Sequence, residues 1–138
     1  MKLSTFIAAG AFIFLSAFVM KKEKGKQTPL FDTKWKLTRM ETRGSMLEVN
    51  TKAFIMFNKE KKSAGGNGGC NTFGSTSTVD GNKISFSGIF STKMFCEGVQ
   101  QSEDVFFRQL EKVSRFEVRD HSLFLFNGKS LLLEFRSE

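Results

Sequence analysis

Two cysteines, a cluster of glycines and one histidine are the residues of this chain whose chemistry has to be weighed first. Cys70 and Cys96 are its only cysteines. They lie too far apart in sequence to form the C-x-x-C pair of a dithiol redox enzyme. In an exported chain, two cysteines with none left over point to a disulfide. The alternative is a pair of free thiols buried as small hydrophobes. A bond closing this loop would contribute roughly 3.5 kcal/mol in the chain-entropy account, a large share of a small domain's margin.

Gly65, Gly66, Gly68, Gly69 and Gly74 crowd into ten residues, five of the twelve glycines in the chain. A phosphate loop requires G-x-x-x-x-G-K-[ST]. Gly69 stands five residues before Gly74, but Ser75-Thr76 follow where Lys-Ser is needed. No helical pattern opens there to aim an N-terminus at an anion. The cluster therefore reads as backbone geometry: bulges, tight turns and close approach of strands. Asn71 reads as a hydrogen-bonding partner of local backbone.

His121 is the only histidine and sits in the turn Asp120-His121-Ser122. One histidine cannot build a His-rich metal site, and a turn tip is a poor place for a desolvated base. Asp32, Glu41, Glu48, Asp80 and Glu97 are scattered, with no face-to-face pair. The expectation is no metal, no cofactor and no catalytic group, because an enzyme needs convergent titratable side chains.

The elements that position these residues follow from periodicity. Trp35 to Met40 alternates apolar and polar, as a half-buried strand does. Gly44-Ser45 marks a turn. Ala53 to Phe57 is a continuous apolar run too short for a helix, expected to be buried on both faces. Lys59 to Lys62 is a charged turn. Thr76–Val79 and Lys83–Phe86 flank Asp80-Gly81-Asn82 as a hairpin.

The one helix is expected over Val99 to Val113, with Ser102 as N-cap and Glu103 and Asp104 in the first turn, where the helix dipole favours acids. Val99, Phe106, Leu110 and Val113 form its core-facing stripe. Phe116 and Val118 alternate with charged residues. Leu123–Phe126 and Leu131–Phe135 predict a hairpin on a type I′ Asn127-Gly128 turn. These runs are too apolar to leave one face in water, so the sheet should curl closed or nearly closed, with the helix over one opening. The fold class is mainly β with one helix (α+β), a small antiparallel barrel-like domain.

At 138 residues the chain holds one domain, assigned to residues 31–138, behind a basic linker at 21–30 and an N-terminal segment at 1–20. Leu3 to Met20 is an uncharged apolar run preceded by Lys2, which reads as a secretory signal or an uncleaved membrane anchor. Leu15-Ser16-Ala17 matches the first three positions of a bacterial lipobox, but Phe18 stands where the lipid-accepting cysteine must be. Lipidation there is excluded by chemistry. Lys21 to Lys26 favours retention of its own side in the cytoplasm, whereas the paired cysteines point outward; export is the preferred reading. The same tract can touch anionic headgroups.

Five lysines against Glu23 put +4 of the net +7 into the first 26 residues and leave +3 for the rest, ordinary for a soluble domain. The seventeen Phe, beside one Trp and no Tyr, fall in blocks such as Phe106-Phe107. Nucleic-acid readers on small β barrels instead interleave aromatic and basic residues on one exposed face. No nucleic-acid partner is expected.

The Gly-Gly-Cys-Asn-Thr-Phe-Gly stretch from Gly68 to Gly74, followed by Ser-Thr-Lys-Met-Phe-Cys ending at Cys96, resembles the signature of META (HslJ-like) domains. The matching positions are Gly69, Cys70, Asn71 and Gly74, then Thr92, Met94 and Cys96. Trp35-Lys36-Leu37, an acidic helix around Glu103 to Lys112 and a closing pair of apolar strands fall in the same order. The resemblance covers roughly Phe31 to Arg136. It implies a small, mostly antiparallel β domain with one helix, usually exported, and supplies no established catalytic residue. The function it implies is that of a non-enzymatic envelope protein, acting in stress tolerance or by binding another envelope component. Its partners would then be the membrane, through the N-terminal segment, and an envelope protein. The rival reading is a secreted or anchored inhibitor or small-ligand binder using a face near Gly65–Gly74.

Overall fold

The computed structural model describes residues 25–138. The apolar run at 3–20, the lipobox-like site and most of the basic tract lie outside the described residues. Nine strands and one helix follow in order. They are β1 (Trp35–Thr42), β2 (Ser45–Glu48), β3 (Phe54–Asn58), β4 (Ser63–Asn67), β5 (Thr72–Asp80), β6 (Lys83–Ser91), α1 (Gln100–Lys112), β7 (Arg115–Arg119), β8 (Ser122–Asn127) and β9 (Ser130–Ser137).

All strand pairs are antiparallel, in the order β2-β1-β3-β4-β5-β6-β7-β8-β9, and β1 also pairs with β9, so the sheet closes into a ring. The first half of β1 binds β3 and its second half binds β2, which leaves β2 outside the ring. Pairing is sparsest between β6 and β7, where Lys83 opposite Arg115 is the single ladder pair. Ile84 N–H to Ser114 O and Phe116 N–H to Asn82 O reinforce that seam.

Closure follows from the apolar strands, although not through burial on both faces. In β3 the side chains alternate: Ile55 and Phe57 point into the ring, Phe54 is half-buried and Met56 is exposed. The apolar run of β3 is therefore a one-sided strand whose outer face has kept its hydrophobes. In β8 and β9 a register shift between Leu125 and Phe126 lets Leu125, Phe126, Leu132 and Leu133 all be buried. Phe124 lies half-buried under the Arg119 guanidinium, 4.7 Å from its ring centre.

The turns differ from expectation in one place. The hairpin β8–β9 pairs Asn127 with Ser130, so its loop is Gly128-Lys129, and of these only Gly128 takes a positive φ, +57°. A type I′ turn needs positive φ at both central residues. That condition is met instead at Arg43-Gly44 between β1 and β2, with φ of +53° and +86°.

Helix α1 crosses one opening of the ring and buries Phe106 and Leu110, with Val113 buried at its end. Phe106 packs edge-on against Phe73 of β5 and Phe135 of β9, with ring centres 5.7 and 6.2 Å apart. Val99 is the cap position and makes no side-chain cap; Ser102 is one turn in and donates its hydroxyl to Val99 O at 3.0 Å. Glu103 is fully buried, and no dipole argument accounts for that.

Candidate functional site

Glu103 explains the cysteine motif. The segment Gly68–Asn71 joins β4 to β5 beneath the N-terminal turn of α1. Glu103 Oε2 accepts the backbone N–H of Cys70 at 2.8 Å and that of Asn71 at 2.6 Å. Its Oε1 accepts the side-chain amide of Asn71 at 2.6 Å. Three buried donors thus converge on one carboxyl group, each costing about 1–3 kcal/mol if left without an acceptor.

Asn71 is equally committed. Its Nδ2 also donates to Met94 O at 3.0 Å, and its Oδ1 accepts Met94 N–H at 2.7 Å and the Thr92 hydroxyl at 2.9 Å. The partners of its side chain are thus the Met94 backbone, 23 residues away, and the side chains of Glu103 and Thr92, in place of the local backbone expected from the sequence. Cys70 and Cys96 form a disulfide across the same junction, with Cα atoms 5.8 Å apart. The disulfide reading of the two cysteines holds, and the free-thiol alternative falls. Bond and amide together pin the Thr92–Cys96 segment to the β4–β5 loop.

The glycines behave as spacers. A Cβ at Gly68 would lie 2.8 Å from Glu103 Oε2 and 2.6 Å from the Phe107 ring, so a side chain there would force one or both to shift. Gly69 turns the chain with a φ of +120°. Gly65 and Gly66 belong to β4, a strand that periodicity did not reveal because it lacks apolar side chains to alternate.

Of the residues singled out in the sequence, the structure brings together Gly69, Cys70, Asn71, Thr92, Met94 and Cys96. Gly74 lies beyond them in β5. Glu103 is the member that residue-by-residue reading missed. Its signal was present in the helix: Phe106 and Leu110 lie three and seven positions after it, on the buried stripe. His121 is exposed at its turn and shares a 2.9 Å contact through Nδ1 with the Thr28 hydroxyl, far from this junction in the fold. Among the described residues no group of three or more His, Cys, Asp or Glu side chains converges.

Outside the junction a shallow cleft of about 500 Å³ runs along the disulfide, lined by Lys34, Lys36, Lys52, Phe54, Gly69 and Cys96, among others. Glu138 caps it, bound to Lys34 at 2.6 Å and Lys36 at 3.8 Å. The Lys34 ammonium beside Glu138 holds its carboxyl below the usual glutamate range. Across the ring, hydrogen bonds from Arg119 and then Arg115 do the same for Glu117.

A closed antiparallel ring with one helix over its mouth, clamped there by a disulfide and a buried carboxyl group, is a structural class of small β domain. The family model for the META domain matches residues 28–138, and the chain belongs to that family. The fold is also that of two solved structures. One, an NMR structure of a protein from Burkholderia xenovorans, is 21% identical, with a TM-score of 0.66 over 79% of this chain and 83% of that one. The other, also determined by NMR, is 18% identical, with a TM-score of 0.59 over 78% and 90% of the two chains. A search of curated proteins finds no match to the sequence.

Proposed function

We propose that this META domain is a non-enzymatic, exported binding domain of the cell envelope, serving stress tolerance or holding another envelope component. The observation that carries the reading is the commitment of the family motif to itself. Every polar atom of the Asn71 side chain and both carboxyl oxygens of Glu103 are taken up within the junction. A reacting group must be within reach of its substrate, whereas these two side chains are buried and held by one another and by backbone. The motif then serves stability, and the binding surface lies outside it. The Cys70–Cys96 disulfide is consistent with an oxidising compartment, and the apolar run at 3–20 supplies the route of export.

Fractionation of cells followed by crosslinking and capture from envelope membranes tests this reading. The chain should appear in the envelope, oxidised, and should retain a crosslinked component after washing. Recovery in the cytosol with two alkylatable thiols would sink it. The lysine-lined cleft favours one second reading, a small-ligand module for anions, which chemical-shift mapping with carboxylate and phosphate compounds would reveal as shifts confined to Lys34, Lys36 and Lys52.

A further inference from the structure

The outer face of β3–β6 carries hydrophobes that the core does not explain. Among the described residues, Phe90 of β6 is 70% exposed and Met56 of β3 42%; Met94 at 58% and Phe95 at 80% stand in the segment that follows β6, and the remaining large exposed hydrophobe, Leu47, lies on β2. Strand register places the face residues together. Met56 pairs with Gly65, Gly65 with Gly74 and Gly74 with Phe90, so one row runs across four strands with no side chain at its two central positions. The Phe90 ring lies over that bare floor: a Cβ at Gly74 would be 2.7 Å from its Cζ. Phe54 continues the surface two positions along β3, opposite Asn67, with the Lys34 ammonium 4.8 Å from its ring centre. Beyond Phe90 the chain leads through Ser91 and Thr92 into Lys93, Met94 and Phe95; Asn71 holds the Met94 backbone, and all three side chains stand in solvent.

Cations border this face. Lys36 and Lys52 flank it at the cleft, Lys59, Lys61 and Lys62 at the β3–β4 turn, and Lys93 within the exposed segment. The nearby carboxylates are Asp32 at the end of β3, Glu60, Glu97 and Glu138, and Glu138 is already bound to Lys34 and Lys36. No charged side chain stands on β4 or on the stretch of β5 from Thr72 to Val79. Aromatic and methionine side chains ringed by lysines suit the boundary between acyl chains and anionic headgroups, where the rings enter and the ammonium groups reach the phosphates. An apolar protein partner would leave those lysines without counter-charges.

We propose that this face, led by Phe90, Met94 and Phe95, seats the domain on an anionic lipid surface. The docking is separate from the N-terminal segment and goes beyond the export reading, because it requires only the folded domain and the lipid. The disulfide and Asn71 then hold the inserting segment in a fixed shape, so that little ordering entropy is lost on contact.

The test uses the full chain reconstituted into vesicles of phosphatidylcholine alone or mixed with phosphatidylglycerol, with brominated acyl chains as quencher. Tryptophan is introduced at Phe95→Trp or, as a control at the exposed hydrophobe of β2, at Leu47→Trp, against the constant background of buried Trp35. The expected result is loss of the added emission for Phe95→Trp in phosphatidylglycerol vesicles only, none for Leu47→Trp, and recovery of emission when Lys52→Glu and Lys93→Glu are combined with Phe95→Trp. Equal quenching at both positions would mean that the N-terminal segment alone brings the chain to lipid, and would overturn the proposal. So would quenching that is indifferent to phosphatidylglycerol, or no quenching at all. Envelope location measured by fractionation is independent of this readout, so the export reading can fail or stand separately.

Discussion

The junction at Cys70, Asn71 and Glu103 and the outer face of β3–β6 share one short segment, Thr92–Cys96, and use it in opposite ways. The junction takes its backbone and polar atoms: Met94 N–H and O both bind Asn71, the Thr92 hydroxyl binds Asn71, and Cys96 closes the disulfide. The face takes the side chains of Lys93, Met94 and Phe95, all exposed. In the junction the three bonds to Glu103 are buried, so each is costly to remove. On the face nothing packs over the side chains, so their removal costs the fold almost nothing. The segment thus gives its backbone to stability and leaves the side chains of Lys93, Met94 and Phe95 free for the lipid docking proposed above.

Glu103→Ala is expected to have the largest effect. It strands the N–H groups of Cys70 and Asn71 and half of the Asn71 amide, and should destabilise by several kcal/mol, at about 1–3 kcal/mol for each buried donor. Urea unfolding measures it; a loss below that of an ordinary surface substitution would show the junction to be incidental. Cys70→Ser comes next, with a loss of roughly 3.5 kcal/mol for a loop of this length. Unfolding of the parent chain with and without reductant should reproduce the same difference.

Met94→Ala sharpens the comparison from the other side. Although Met94 is a motif position, its side chain is exposed, so stability should change by no more than about 0.5 kcal/mol. A loss above 1 kcal/mol by the same urea titration would mean that the side chain packs as well as the backbone.

The smallest effect concerns acid. The folded Glu117 carboxyl is held below its ordinary range, chiefly by Arg119. Its pairing therefore favours the fold at pH values above the unfolded glutamate range, and that support is lost as pH falls through the lower folded value. Glu117→Gln should make the acid limb of the stability–pH curve slightly shallower and leave neutral pH nearly unchanged, because an exposed pair contributes little. An unchanged acid limb would show that the two arginines contribute nothing through Glu117.

What the sequence determined by itself was whatever is encoded locally. Alternation in Trp35–Met40, the apolar pair Leu123–Phe126 and Leu131–Phe135, the Gly81 hairpin and the Phe106–Leu110 stripe are all periodic signals a few residues long, and β1, β8, β9, β5–β6 and α1 formed where those signals stood. Two cysteines with no third left the disulfide as one of two options, and Gly68–Gly74 with Thr92–Cys96 carried the family resemblance. Only the tertiary structure decided the rest. Strand β4 has almost no apolar side chain to alternate and exists because β3 and β5 supply hydrogen-bonding partners on both edges. Glu103 looks like any acid in a first helical turn until the β4–β5 loop brings three N–H groups to it from more than thirty residues away. Met56, Gly65, Gly74 and Phe90 become one surface only through strand register, which fixes neighbours across the sheet and leaves no trace in the spacing along the chain.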